Sequence, residues 1–168
     1  MSRLRVLLTP VLLAALALVA MPAAASAADR AGSHDHLIVR VWHAPTTPTA
    51  ILGSGLGTVR TWFVPIAVDG VSAPTQFMTG TLTTTAVDPA NNVEWRASNL
   101  DFVLGAEADQ LVIGGTSSYA TANATITAGT KTVRPVVGAS GKYAGYTGYA
   151  VTTNMGSSGW LHVFHLQR

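Results

Sequence analysis

The stretch Val133–Asn154 restricts the fold most, because it combines a glycine-rich turn with an alternating strand pattern. A proline and two valines lead into a turn that has glycines at positions 138, 141, 145 and 148. Glycine allows backbone angles that side chains disfavour. The chain leaves through Tyr149–Thr153, whose β-branched residues are typical of a half-buried strand. The stretch therefore predicts a strand, a tight irregular turn and a second strand.

The same alternation of apolar and polar residues recurs along most of the chain. Turn signals such as Asp69-Gly70 and Gly114-Gly115 separate the alternating runs, and Pro65 predicts a bulge or an edge. No window keeps the 3.6-residue apolar period of a helix for ten residues or more. The pattern predicts about eight strands and an all-β fold, a single antiparallel barrel. The strand candidates are residues 35–43, 58–68, 77–87, 93–104, 110–113, 116–127, the two arms of 133–154, and 160–167.

The N-terminal residues have the pattern of a secretory signal peptide. Arg3 and Arg5 precede the apolar run Val6–Met21, and Ala25–Ala27 provides a small-residue cleavage site. A membrane anchor is the alternative, but the run is shorter than the roughly 20 residues of a spanning helix. We predict a signal peptide over residues 1–27, a short flexible leader over 28–35 and a barrel domain over 36–168. The protein is thus expected to be secreted, to the medium or the cell envelope, without an anchor after cleavage.

Composition excludes several classes of function. Loss of Arg3 and Arg5 would reduce the ten basic residues to eight, equal to the eight acidic ones, and no basic cluster indicates nucleic-acid binding. The chain has no cysteine, so it forms no disulfide and must be stabilised by packing. No nucleophile elbow, phosphate-binding loop or zinc motif is present, and we expect neither a cofactor nor a metal.

Three pieces of the glycine-rich stretch, PVVG at 135–138, GKYAG at 141–145 and GYAV at 148–151, resemble a known family. They are similar to the PVVGG and GY segments of the allene oxide cyclase-like and dirigent-like β-barrels. Met78–Leu82, Asn99–Leu104 and Ala124–Ile126 resemble family strands in the same order. Tyr146-Thr147 stands where the family's arginine usually lies, so no role of that arginine is transferred. The alanine-rich signal region is typical of a GC-rich bacterium.

The resemblance implies an eight-stranded, calycin-type barrel whose apolar interior holds a small molecule. Relatives of this kind cyclise reactive intermediates or guide radical coupling, and catalysis by such a shape requires few acids or bases. We therefore expect a cofactor-free cyclase or isomerase for an apolar substrate. A carrier without turnover and a structural self-associating barrel are the alternatives. Relatives form dimers or trimers, so a homo-oligomer is expected.

Three residues are candidates for catalysis. Glu94 and Arg96 share one strand face, where Glu94 would act as a base inside the barrel or form an ion pair outside it. Asp101 lies among apolar neighbours, where a carboxylate is costly unless it binds something. His162 shares a face with Trp160 and is the strongest candidate for a polar group in the cavity. The residues expected to line the cavity are Trp42, Trp62, Trp95, Arg96, Tyr119, Asn154 and Trp160.

Overall fold

The computed structural model describes residues 35–168, so the predicted signal peptide and the predicted leader up to residue 34 lie outside the described residues. The described chain forms nine strands and two single 3-10 turns, at Gly141–Tyr143 and Gly156–Ser158. The strands are β1 His36–His43, β2 Ala50–Leu52, β3 Val59–Val68, β4 Val71–Asp88, β5 Val93–Leu104, β6 Gln110–Tyr119, β7 Lys131–Ala139, β8 Thr147–Asn154 and β9 Trp160–Gln167.

Eight of these strands close into an antiparallel barrel. The sheet order runs β1, β9, β8, β7, β6, β5, β4, β3, and pairing of β1 with β3 at Val41–Val68 and Trp42–Ala67 completes the ring. The short strand β2 pairs with the outside edge of β3. The prediction of an all-β, eight-stranded antiparallel barrel is therefore confirmed, and β2 is an addition to it.

Glycines in the predicted turn are required by close backbone approach. Gly148 has φ 150°, and a Cβ there would collide with the carbonyl of His165 on the neighbouring strand. Gly141 has φ 60°, and a Cβ there would collide with the carboxylate of Asp109. This carboxylate accepts a hydrogen bond from the backbone amide of Lys142 at 2.9 Å. The glycine-rich stretch is thus a strand, a 3-10 turn and a strand, as predicted.

Two local predictions are wrong and a third is confirmed by the strand pairing. Gly114-Gly115 does not break β6, because the pair stays in register with Asn99 and Ser98. Gly114 is needed because a side chain at this position would press on Val137 of β7. The predicted strand 116–127 is wrong beyond Tyr119, and residues 120–130 form a loop. The bulge predicted at Pro65 is present as a register shift between β3 and β4.

Inward-facing side chains divide the barrel interior into two regions. At one end, here called the packed end, the interior is filled by aliphatic and phenyl groups: Val39, Val41, Val64, Ile66, Phe102, Leu104, Leu111, Ile113, Phe164 and Leu166. At the other end, here called the cavity end, the buried residues are polar or charged: His43, Arg60, Thr84, Glu94, Arg96, Arg134, Thr152, Asn154 and His162. This second region holds the candidate site.

Candidate functional site

A cavity of about 490 Å³ occupies the cavity end of the barrel. Its floor is formed by Met78 and Leu100, which also belong to the apolar core. The cavity wall includes polar and aromatic side chains from several strands: Arg60, Trp62, Arg96, Tyr119, Arg134, Thr152, Asn154, Trp160 and His162. Residues 45–48, before β2, and 123–126, from the loop after β6, cover part of the cavity. The cavity is therefore built from several strands and two loops.

Glu94 lies at the centre of a buried ion network. Strand alternation in β5 directs Glu94 and Arg96 inward, and each is at most 3% exposed. The carboxylate accepts hydrogen bonds from Arg96 Nη2 at 2.8 Å, from Arg60 Nη1 at 3.2 Å and from the hydroxyl of Thr84. Burial raises the pKa of the Glu94 carboxyl, but these hydrogen bonds and the two guanidinium charges outweigh it and lower the pKa. Glu94 is therefore ionised at neutral pH.

The two arginines of this network also hold the loop of residues 120–130. The carbonyl of Ala122 accepts from Arg60 Nη2 at 2.6 Å and from Arg96 Nη2 at 2.7 Å, and the carbonyl of Ala124 accepts from Arg96 Nη1 at 2.9 Å. Arg96 also lies 3.9 Å above the ring of Tyr119. Most donors of these guanidinium groups are therefore used by the protein itself.

Arg134 is the third arginine of the cavity end, and it has different partners. It is 3% exposed and projects inward from β7. Its Nη1 donates to the hydroxyl of Thr132 at 2.9 Å and its Nη2 to the Tyr119 hydroxyl at 3.4 Å. Its Nε has no hydrogen-bond partner within residues 35–168. Burial lowers the pKa of Arg134, partly offset by Tyr119, although a guanidinium stays charged at neutral pH.

A row of aromatic rings connects the cavity with the packed end. His43 stacks on Trp160 with centroids 6.4 Å apart and on His162 at 5.3 Å. His162 in turn meets the edge of Phe102 at 4.9 Å, and Phe102 meets Phe164 at 5.1 Å. The rings are rigid and closely packed, so they fix the position of the His162 imidazole.

Both stacked histidines are neutral at pH 7. Burial lowers the pKa of His43 despite its hydrogen bond to the Ala44 carbonyl. Burial, with the neighbouring charges of His43 and Arg134, lowers the pKa of His162 well below its ordinary value. His162 Nδ1 lies 2.9 Å from the hydroxyl of Thr152, while its Nε2 has no partner within the described residues. Nε2 is thus a buried nitrogen whose hydrogen-bonding capacity is unused within the described residues.

The structure brings together seven of the ten residues that the sequence singled out. Trp62, Arg96, Tyr119, Asn154, Trp160 and His162 line the cavity. Glu94 is buried behind them, contacting Arg60 and Arg96 rather than the cavity. The suggestion that Glu94 forms an exposed ion pair is wrong, because this face of β5 points into the barrel.

Trp42, Trp95 and Asp101 lie on the outer face of the barrel, so their predicted place in the cavity is corrected. Trp42 and Trp95 are each 44% exposed, and the indole of Trp42 donates to the Ser158 carbonyl at 2.7 Å. Asp101 points outward because its neighbour Phe102 points inward. Its partner is the Asn99 amide at 3.3 Å, and partial burial raises the pKa of its carboxyl.

Sequence reasoning missed Arg60, Arg134, His43 and Thr152. A signal existed for the two arginines. Arg60 has the same strand parity as the buried Val64 and Ile66, and Arg134 has the parity of Val136. An isolated arginine at a strand position that faces inward indicates a polar interior, and this signal was present in the sequence.

Two kinds of feature are absent from residues 35–168. Within this range, no group of three or more histidine, aspartate or glutamate side chains could hold a metal ion. The same residues contain no helix long and apolar enough to cross a membrane.

Comparisons with known proteins place the fold. The sequence matches no protein-family model and no curated protein. A solved structure described as pyocyanin demethylase is similar over 79% of this chain and 99% of that chain, with 16% identity and a TM-score of 0.52. A pterocarpan synthase dirigent protein, GePTS1, matches 80% of this chain and 86% of its own, with 16% identity and a TM-score of 0.47.

At such low identity the likeness to the first structure bears on the fold alone, and it agrees with the closed eight-stranded ring described above. The chain is therefore a closed, eight-stranded antiparallel β-barrel that shares its fold with the structure described as pyocyanin demethylase.

Proposed function

We propose that the barrel binds a small molecule in its cavity and acts on it as a cofactor-free isomerase or cyclase. The observation that carries the proposal is His162, which lines a cavity of about 490 Å³ and whose buried Nε2 has no hydrogen-bond partner within residues 35–168. Ligand cavities in proteins measure roughly 300–1,000 Å³ and combine apolar walls with a few placed polar groups. The mixture of Trp62, Leu82 and Ile126 with His162 has this character.

The reaction class follows from the protonation of His162. Burial lowers the pKa of His162, so the imidazole is neutral and one ring nitrogen can accept a proton, while Thr152 on Nδ1 fixes the ring orientation. When Nδ1 carries the proton and donates it to the Thr152 oxygen, Nε2 accepts a proton from the substrate. In the other tautomer Nε2 donates a hydrogen bond. If His162 removes a proton from the substrate and returns one while the substrate is held in a single conformation, the substrate is isomerised or its ring is closed. No cofactor is needed for such a step.

Glu94 has a positioning role in this proposal. Its oxygens accept from Arg60, Arg96 and Thr84, which leaves the carboxylate directed at the protein rather than at the cavity. Through the two arginines it holds the loop of residues 120–130, whose residues 123–126 line the cavity. Glu94 would therefore control the shape of the cavity.

A carrier that binds without turnover is the second candidate. It is favoured by the absence of any carboxylate from the cavity wall within the described residues, so that proton transfer depends on His162 and hydroxyl groups. Fold alone does not separate a carrier from an enzyme.

We further propose export through the predicted signal peptide and self-association through the outer face. Several large apolar side chains are exposed there, among them Trp42, Phe63, Val133 and Tyr149, and they would be covered in an oligomer.

The test is native mass spectrometry of the protein purified from its own host, followed by assay of any co-purifying compound. We expect a bound small molecule that the wild type converts and that His162→Asn binds but converts at least about 100-fold more slowly, the usual contribution of one acid–base group. His165→Asn is the matched control, because His165 lies on the outer face of the same strand. Equal conversion by wild type and H162N would overturn the role of His162. Bound but unconverted ligand would favour the carrier.

A further inference from the structure

The cavity end contains more buried positive charge than negative charge. Among residues 35–168, the buried arginine, lysine, histidine and carboxylate side chains are three arginines, the single carboxylate of Glu94, and two histidines. Burial keeps both histidines neutral. Three guanidinium groups therefore share one carboxylate.

Arg60 and Arg96 are compensated by their surroundings. Both pair with Glu94, and both donate to carbonyl oxygens of the loop of residues 120–130. A buried charge is tolerated when it is paired and its hydrogen bonds are made. Glu94 therefore balances charge at these two arginines, although Arg96 Nε, like Arg134 Nε, has no hydrogen-bond partner within residues 35–168.

Arg134 has no such compensation. Its two partners are neutral hydroxyl groups, those of Thr132 and Tyr119, and the contact to Tyr119 is long at 3.4 Å. Its Nε is unpaired within the described chain although the residue is 97% buried. Arg134 also forms part of the cavity wall. A buried, uncompensated cation beside a cavity is costly unless a ligand supplies the missing charge.

We propose that the ligand of this cavity is an organic anion whose carboxylate pairs with Arg134. The Nε and an adjacent Nη of a guanidinium form a fork that matches the two oxygens of a carboxylate. A doubly charged phosphate is a poorer match, because Arg134 is the one buried guanidinium in residues 35–168 that lacks both a carboxylate and a carbonyl partner. The inference rests on the proposed function, since it names the ligand class of the same cavity.

The remainder of the ligand faces apolar and aromatic side chains. Trp62, Trp160, Leu82 and Ile126 line the cavity and pack in one apolar cluster with Tyr119. The earlier expectation of a wholly apolar ligand is thus sharpened to a molecule with an apolar, ring-sized body and one anionic end. Such a molecule would place its body near His162 while Arg134 holds its carboxylate.

The experiment compares acids with neutral alcohols of the same shape. The probes are 2-naphthoate against 2-naphthalenemethanol, and 4-phenylbutyrate against 4-phenylbutanol, measured by isothermal titration calorimetry at pH 7. The variants are wild type, Arg134→Gln, Arg134→Lys and Arg40→Gln. Arg40 is an exposed arginine on the outer face of β1, so R40Q removes the same charge outside the cavity.

We expect wild type and R40Q to bind each acid at least about tenfold more tightly than its alcohol, as a charge-assisted hydrogen bond allows. R134Q should lose this preference and keep its affinity for the alcohols, and R134K should retain part of it. In the absence of probe, R134Q should unfold at a higher temperature than wild type, because it no longer buries an unpaired charge. This last measurement also shows that the variant folds.

The failures are distinguishable. Equal affinity of wild type for acids and alcohols, or an unchanged acid preference in R134Q, would overturn the anion inference and leave small-molecule binding intact. Failure of all four probes to bind wild type would count against the proposed function itself for ligands of this size.

Discussion

The two ends of the barrel interior are built from the same strands but have opposite chemistry. On β9, Trp160 and His162 face the cavity end, whereas Phe164 and Leu166 face the packed end. Other strands repeat the division, as β3 does with Arg60 followed by Val64. Because the inward-facing residues of β9 all have one parity, the change occurs along the strand and not between its faces.

This division separates stability from function. The packed end buries phenyl and aliphatic groups completely, and their transfer from water is the main favourable term in folding. The cavity end buries charges and leaves space unfilled, both of which cost free energy. The packed end therefore stabilises a barrel whose other end is shaped for a ligand, which is a common relation between stability and activity.

The largest expected effect tests whether the packed end carries the stability. Phe164→Ala should lower the free energy of unfolding by about 4 kcal/mol, because a fully buried phenyl ring leaves a void. Trp160→Ala, on the same strand but beside the cavity, should lose less than half as much because it has fewer neighbours to lose. Urea titration measures both. Equal losses would contradict the division into two ends.

The next effect concerns the buried ion network. Glu94→Gln should cost about 3 kcal/mol, because Arg60 and Arg96 would lose their common carboxylate. The pKa of Glu94 is lowered in the folded protein, so its stabilisation is present above its ordinary pKa and is lost as pH falls through the lower, folded pKa. The gap between wild type and E94Q in urea should therefore close in strong acid. Glu107→Gln, at an exposed turn, is the control and should change little.

The buried histidines predict a smaller dependence on pH. The folded pKa of His162 and that of His43 lie below 6.5, so the unfolded chain binds more protons as pH falls below that value. The free energy of unfolding should then decline by up to about 1.4 kcal/mol per pH unit for each histidine. His162→Asn should reduce the slope between pH 7 and 5.5. An unchanged slope in this variant would contradict burial of His162 beside Arg134.

The smallest effect is expected on the outer face. Asp101→Asn should change the free energy of unfolding by no more than about 0.5 kcal/mol and leave ligand binding as it is, because Asp101 contacts only Asn99 outside the barrel. Loss of ligand binding in this variant would show that Asp101 belongs to the site and would contradict the assignment of strand faces.

Strand faces could be predicted from the sequence where one residue fixed the parity. The sequence indicated that either His162 or His165 faces inward, and the structure shows that His162 does, on the parity of Phe164 and Leu166. Asp101 was harder, because Phe102 and Val103 are both buried and the apolar pattern of NLDFVL has no clear parity. Trp42 and Trp95 were misplaced because tryptophan is apolar but also tolerates an exposed sheet surface.

By itself, the sequence determined an all-β chain, the glycine-rich turn and the barrel family it resembles, because alternation and close backbone approach are local properties. Only the tertiary structure decided that Arg60, Arg96, Arg134 and His162 line one cavity, with Glu94 buried behind Arg60 and Arg96. These residues come from four strands, and closing the sheet is what places their inward faces opposite one another. Charge compensation is likewise a property of the assembled interior, so the unpaired Arg134 could be recognised only after the barrel was closed.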